Sequence, residues 1–168
     1  MDEDTALEKF DELLAVLKCT RGESDRGITM IVAAHIDELL RRIIETFLIT
    51  SKEVKQLFEG PYAPFGSLSG KTKAAYVMGL ITKNEFDRID AVRGVRNVFA
   101  HHVDADFQHK DIAKICRKPV VDDGRLCARD AFLHMATNTV LPLLYRDIEV
   151  KKWKREELAT EWLHLENS

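Results

Sequence analysis

The sequence has few residues that interrupt regular structure and few that form cross-links. Only 4 prolines and 8 glycines occur in 168 residues, and no alternating apolar and polar run is long enough for an ordinary strand. The three cysteines, Cys19, Cys116 and Cys127, are odd in number and far apart, without Cys-x-x-Cys spacing. These absences argue against a disulfide framework and a structural zinc site. From these absences we predict an all-α protein with no metal and no cofactor.

A basic excess and a long hydrophobic run are also missing. The net charge is −3 at pH 7, whereas a general nucleic-acid-binding face usually appears as a basic excess. The most apolar segment, residues 28–49, is interrupted by charged and histidine side chains, and therefore predicts an amphipathic helix instead of a membrane span. The acidic start, Met1-Asp2-Glu3-Asp4, is unlike a signal peptide. We expect a cytoplasmic protein, a compartment that also suits unpaired cysteines.

The apolar residues recur at helical spacing and predict a single domain, residues 1–168, folded as a bundle of about six to eight helices. The content of 45% hydrophobic and 32% charged residues is that of a soluble globular protein. The predicted helices are 5–19, 24–50, 51–58, 67–80, 82–100, 108–117, 126–147 and 153–165, with a loop at 119–124. Pro142 should kink or divide the seventh, and 154–168 should form a peripheral C-terminal helix. The first helix should turn Leu7, Phe10, Leu14 and Leu17 inwards.

The predicted helix 82–100 carries the residues that suggest a site. It begins with a Thr-x-x-Glu capping box at Thr82 and Glu85. At about 100° per residue, Arg96 projects into the apolar arc of this helix and Arg93 lies near its edge. Because an unpaired buried charge costs several kcal/mol, Arg96 should either pair with an acid or open onto a cavity.

Acidic residues elsewhere in the chain are the candidate partners of these arginines. Asp25, Asp37 and Glu38 could supply the carboxylates, and Asp25 or Arg26 could pair with either arginine. The predicted polar centre consists of Asp25, Arg26, Glu38, Arg93 and Arg96. A second polar feature is the border of helix 24–50, where His35, Glu38 and Arg42 could form a ladder facing a neighbouring helix. One interpretation of the centre is structural, with His101 simply interacting with the carbonyl groups at its helix end.

The other interpretation is functional. The string Arg96-Asn97-x-x-x-His101 resembles the Arg-x(4–6)-His signature of the HEPN superfamily, whose active members cleave RNA. The resemblance implies a metal-independent endoribonuclease. In it His101 would carry the proton, Arg96 would hold the phosphate, and Asn97 would orient either one. Two copies of this motif commonly meet across a dimer in such folds.

Three longer blocks resemble the mannitol operon repressor family of bacterial proteins. The first block is Glu23-Ser24-Asp25-Arg26-Gly27. The second is Gly60-Pro61-x-Ala63-Pro64-Phe65-Gly66-Ser67-Leu68-Ser69-x-Lys71, and the third is Arg93-x-Val95-Arg96-Asn97-x-Phe99-Ala100-His101. The resemblance implies an all-helical domain, a bacterial cytoplasmic setting and a transcriptional repressor.

The charges of helix 82–100 argue against direct reading of DNA. The best helix-turn-helix candidate lies around Gly79, and it exposes Asp87 and Asp90, which a phosphate backbone would repel. We therefore predict a transcriptional regulator that contacts another protein, either the transcription machinery or another regulator, and that need not be an enzyme. A homodimer is left open. The alternative hypothesis is a HEPN-like ribonuclease, or a module that binds RNA or a nucleotide. A phosphate at the start of helix 67–80 is a further interpretation.

Overall fold

The computed structural model describes residues 3–117 and 126–158. Within these ranges the chain forms seven α-helices and no strand, so the all-α prediction is confirmed. The helices are α1 (Glu3–Thr20), α2 (Asp25–Phe47), α3 (Glu53–Gln56), α4 (Leu68–Val77), α5 (Lys83–His101), α6 (Lys110–Arg117) and α7 (Ala128–Val150), followed by a 3-10 turn (Lys151–Trp153). No helix in the described part of the chain is long and apolar enough to cross a membrane.

Side-chain caps determine where the helices around the core begin. The hydroxyl groups of Ser24 and Ser67 each accept the N–H three residues later, at 3.1 Å, and so start α2 and α4. Thr82 and Glu85 form the predicted capping box of α5. The Thr82 hydroxyl accepts the Glu85 N–H at 3.2 Å, and the Glu85 carboxylate accepts the Thr82 N–H at 2.7 Å. These bonds satisfy N–H groups that a helix leaves free at its first turn.

The core lies between α2 and α7, with α4, α5 and α6 packed around them. Leu39 and Ile43 of α2 and Leu143 and Leu144 of α7 are completely buried. α7 runs through Pro142 as one helix, so the predicted division at this residue does not occur. α5 packs against both of these long helices.

α1 turns its apolar stripe outwards, contrary to the prediction. Leu7, Phe10 and Leu17 are 60%, 52% and 54% exposed. The side that faces the bundle carries Lys9, whose Nζ donates to the Asp147 carboxylate of α7 at 2.8 Å. The prediction is wrong because ion pairs and Leu13, and not the apolar stripe, attach α1 to its neighbours.

A charged network completes this attachment. Arg42 of α2 donates to both carboxylate oxygens of Glu12 in α1, at 3.1 and 3.2 Å, and its Nε lies 3.1 Å from Asp147. His35 is half-buried beside them, and among the described residues its Nε2 has no hydrogen-bond partner. Burial lowers the pKa of His35, against a smaller raising effect of Glu12. Of the three residues of the predicted ladder, only Arg42 pairs with a neighbouring helix, whereas His35 has no partner for its Nε2 among the described residues and Glu38 is exposed.

The chain after α7 differs from the predicted helix 153–165. Residues 154–158 have no helical structure. The Arg155 N–H donates to the Phe47 carbonyl oxygen at 2.8 Å, which ties this segment to the end of α2. Because that N–H is bound to another element, it cannot continue the hydrogen bonding of α7. The rest of the predicted C-terminal helix and the predicted loop 119–124 lie outside the described residues.

Candidate functional site

A cleft of about 690 Å³ lies between α2, α4 and α5, and it joins parts of the chain that are distant in sequence. Its volume is in the range of ordinary ligand pockets. The lining residues are Met30, Ala33, Ala34 and Asp37 of α2, Gly66, Ser67, Leu68 and Ser69 at the start of α4, and Arg93, Arg96 and Asn97 of α5. The second and third blocks therefore contribute to the same cleft.

Arg96 is exposed and lines this α2–α4–α5 cleft. Its Nη1 donates to the Asn97 side-chain oxygen at 3.3 Å, and no carboxylate of the described residues pairs with it. Of the two alternatives for Arg96, pairing with an acid or opening onto a cavity, the structure has the second. Asp37, one of the predicted acidic partners, lines the same cleft but pairs with Lys71 instead.

Arg93 pairs within its own helix. Its Nη2 and Nε lie 2.7 and 3.0 Å from one oxygen of Asp90, which is exposed. This i, i+3 pair replaces the predicted pairing with Asp25, Asp37 or Glu38. An exposed pair of this kind is weak, so an incoming anion can compete for the Arg93 guanidinium.

The acidic residue that lines the cleft, Asp37, is already neutralised. Lys71 of α4 is only 4% exposed and donates to both carboxylate oxygens of Asp37 at 2.8 Å. Asp37 therefore does not compensate the charge of Arg96. The first turn of α4 adds the partial positive charge of a helix N-terminus. Together these groups give the cleft a positive character that suits a carboxylate or a phosphate.

Arg26 of the first block contacts the other end of α5. It donates to the carbonyl oxygens of Phe99, His102 and Val103, the last two at 2.7 and 2.8 Å. Carbonyl groups at a helix C-terminus lack intrahelical partners. Arg26 therefore satisfies the carbonyl groups that were expected to interact with His101, and it does not pair with an arginine of α5 through a shared acid.

Asp25 and Glu38 also lie away from the predicted centre. Asp25 accepts from Arg129 Nε at 3.1 Å and from the Phe107 N–H at 3.3 Å, which joins α2 to α7 and to the segment after α5. Glu38 is on the exposed side of α2. The five residues of the predicted centre are therefore distributed over four environments. Asp25 and Arg26 separate because side chains one residue apart on a helix point about 100° apart.

His101 is exposed at the last position of α5 and is not among the lining residues of the cleft. Five positions along a helix amount to about 140° of net rotation, so Arg96 and His101 point in different directions. Asn97 remains beside Arg96. Nowhere in residues 3–117 and 126–158 do three or more potential metal ligands converge.

Besides Lys9 with Asp147, two further ion pairs with a buried member were not predicted from the sequence. Glu85 is 3% exposed, and its carboxylate accepts from Arg146 Nη2 of α7 at 2.7 Å. Lys71 with Asp37 is the second. The capping pattern identified Glu85, but it gave no signal for a partner 61 residues later. Such a pair depends on how two helices pack, which local spacing does not encode.

No protein-family model, curated protein or solved structure matches this chain. The α2–α4–α5 cleft and its charges are therefore the basis for a function.

Proposed function

We propose that this protein is a bacterial transcriptional regulator of the mannitol operon repressor type that acts by contact with another protein. In this proposal an acidic segment of the partner binds in the α2–α4–α5 cleft. The observation that carries it is the convergence of the second and third blocks on one cleft, where Arg96 has no carboxylate partner among the described residues. Segments far apart in the chain that meet around an unneutralised arginine favour a binding site.

The chemistry of the cleft suits a carboxylate group with an apolar neighbour. A guanidinium offers a planar pair of donors that matches a carboxylate, and Asn97 orients the Arg96 group through its side-chain oxygen. Met30, Ala33 and Ala34 supply an apolar wall on the α2 side. A peptide in which an acidic residue adjoins an apolar residue would satisfy both surfaces.

The surface of α5 supports contact with a protein in preference to a DNA groove. Gly79 takes a left-handed φ of 73° in the turn before α5, so a helix–turn–helix connection exists. Asp87 and Asp90 are nevertheless exposed along α5, and a phosphate backbone would repel them. A recognition helix needs basic and amide groups at such positions.

A capture experiment tests this proposal. The tagged protein is incubated with bacterial lysate, treated with nuclease, and the retained proteins are identified by mass spectrometry. We expect a partner that survives nuclease and is lost with Arg96→Ala. Arg117→Ala is the matched control, since Arg117 is exposed on α6 and outside the cleft. Equal capture by both variants, or capture of nucleic acid alone, would contradict the proposal.

The positive cleft also favours a second function, the binding of RNA or a nucleotide. Arg96 and the first turn of α4 can hold a phosphate as readily as a carboxylate. Fluorescence anisotropy with labelled single-stranded RNA, together with an RNA decay assay, separates the cases. Binding lost in Arg96→Ala but kept in His101→Ala, without decay, supports a binding module. Decay that either substitution abolishes supports a metal-independent ribonuclease. If the wild type neither binds RNA nor causes its decay, this second function is excluded.

A further inference from the structure

The apolar stripe of α1 consists of Leu7, Phe10, Leu14 and Leu17. Three of these side chains are more than half exposed, and Leu14 is half-buried. At about 100° per residue the four lie within an arc of about 80°. The opposite side of α1 is fixed to α2 and α7 by Lys9 and Glu12, so the stripe cannot turn inwards without breaking buried charge pairs.

We propose that this stripe binds the α1 stripe of a second copy of the chain, with the two helices antiparallel. In one antiparallel register Leu7 lies opposite Leu17 of the second copy, and Phe10 lies opposite Leu14. Both pairs are centred on the same point of the helix, at residue 12, so a single twofold axis brings all four residues of each copy into contact. This self-complementarity is what an isologous dimer contact requires.

Lys18 beside the stripe favours the same arrangement, in which Asp11 also approaches its own counterpart. Asp4, Glu8, Asp11 and Lys18 are exposed along one edge of it, and none of them forms an ion pair within the described residues. In an antiparallel twofold pair each edge meets the same edge of the other helix. In the register given above, Lys18 falls between Asp4 and Glu8 of the second copy, about 3 Å from each along the axis. A parallel pair would instead place this edge against the other edge of the stripe, around Ala6 and Leu13, and would form no such charge pair.

The mass of the full chain in solution tests the contact. Light scattering coupled to size-exclusion chromatography should give twice 19.2 kDa for the wild type. Phe10→Asp should reduce the mass to that of one chain. Tyr62→Asp is the matched control, because Tyr62 is 95% exposed and outside α1, and it should leave the mass unchanged. Circular dichroism confirms that each variant is folded.

Charge reversal tests the orientation. Lys18→Glu should weaken the dimer by about tenfold at low ionic strength, since the contact is repeated by the twofold axis. The combination Asp4→Lys/Glu8→Lys/Lys18→Glu should restore it. Failure of this restoration would overturn the antiparallel pair. A wild type that is monomeric up to its solubility limit, or a Phe10→Asp variant that stays dimeric, would overturn the inference itself. A monomer that Phe10→Asp destabilises would also overturn it, because the stripe would then be covered within its own chain.

Discussion

Replacement of Glu85 by alanine should lower the free energy of unfolding by about 3 kcal/mol. One carboxylate oxygen accepts the Thr82 N–H at 2.7 Å, and the other accepts from Arg146 at 2.7 Å. Loss of the cap costs about 1 kcal/mol. Loss of the ion pair leaves Arg146, whose side chain is 18% exposed, with Glu149 at 3.2 Å as its remaining acid. Arg146 keeps this contact and some access to water. We therefore expect loss of the ion pair to lower the free energy of unfolding by about 2 kcal/mol, less than for a fully buried pair.

Urea denaturation followed by circular dichroism measures this effect, with Thr82→Ala and Arg146→Met as companions. Thr82→Ala should lose only about 1 kcal/mol, because Glu85 and Arg146 remain paired. The double variant Glu85→Ala/Arg146→Met should be less destabilised than the sum of its two single variants, since neither charge is then left alone. A loss below about 1 kcal/mol for Glu85→Ala, or strict additivity, would refute the reasoning.

Three further outcomes follow from buried polar groups. Burial lowers the pKa of His35, so the unfolded chain binds the proton more readily than the folded chain. The free energy of unfolding should therefore fall as the pH drops below about 6.5. Denaturation curves at successive pH values measure this dependence, which His35→Gln should flatten. Lys71→Met should weaken the binding of inorganic phosphate several-fold by calorimetry, because it frees Asp37 to neutralise Arg96. Cys116 is buried and its pKa is raised to about 12 by desolvation, so Ellman's reagent should label only the two exposed cysteines until urea is added.

The parts of the fold that were predictable are those encoded by neighbouring residues. Caps at Ser24, Ser67 and Thr82 are local hydrogen bonds, and each starts its helix where the spacing predicted. The orientation of α1 was not predictable in this way. Periodicity identifies which face of a helix is apolar, but Lys9 faces the bundle because Asp147, from the far end of the chain, lies opposite it.

The candidate site, too, was predictable only where neighbouring residues determine it. Helical periodicity placed Arg96 in the apolar arc of α5, whereas the structure exposes it in a cavity whose shape depends on where α4 begins relative to α5. The Gly66–Ser69 segment forms one wall of that cavity. The predicted partners Asp25 and Arg26 were drawn instead to Arg129 and to the end of α5, which are contacts between distant segments.

The separation of Arg96 and His101 bears on the choice between binding and cleavage. Along one helix, five residues correspond to about 7.5 Å of rise and about 140° of rotation, whereas proton transfer needs heavy atoms about 3 Å apart. His101 does not line the cleft in which Arg96 lies, so a phosphate bound in that cleft would not contact it directly. Cleavage would need a histidine from a second chain or a different position of the nucleotide. Arg96 acting with Asn97 and the first turn of α4 needs neither, so the arrangement within one chain favours the capture of an anion over its chemical conversion.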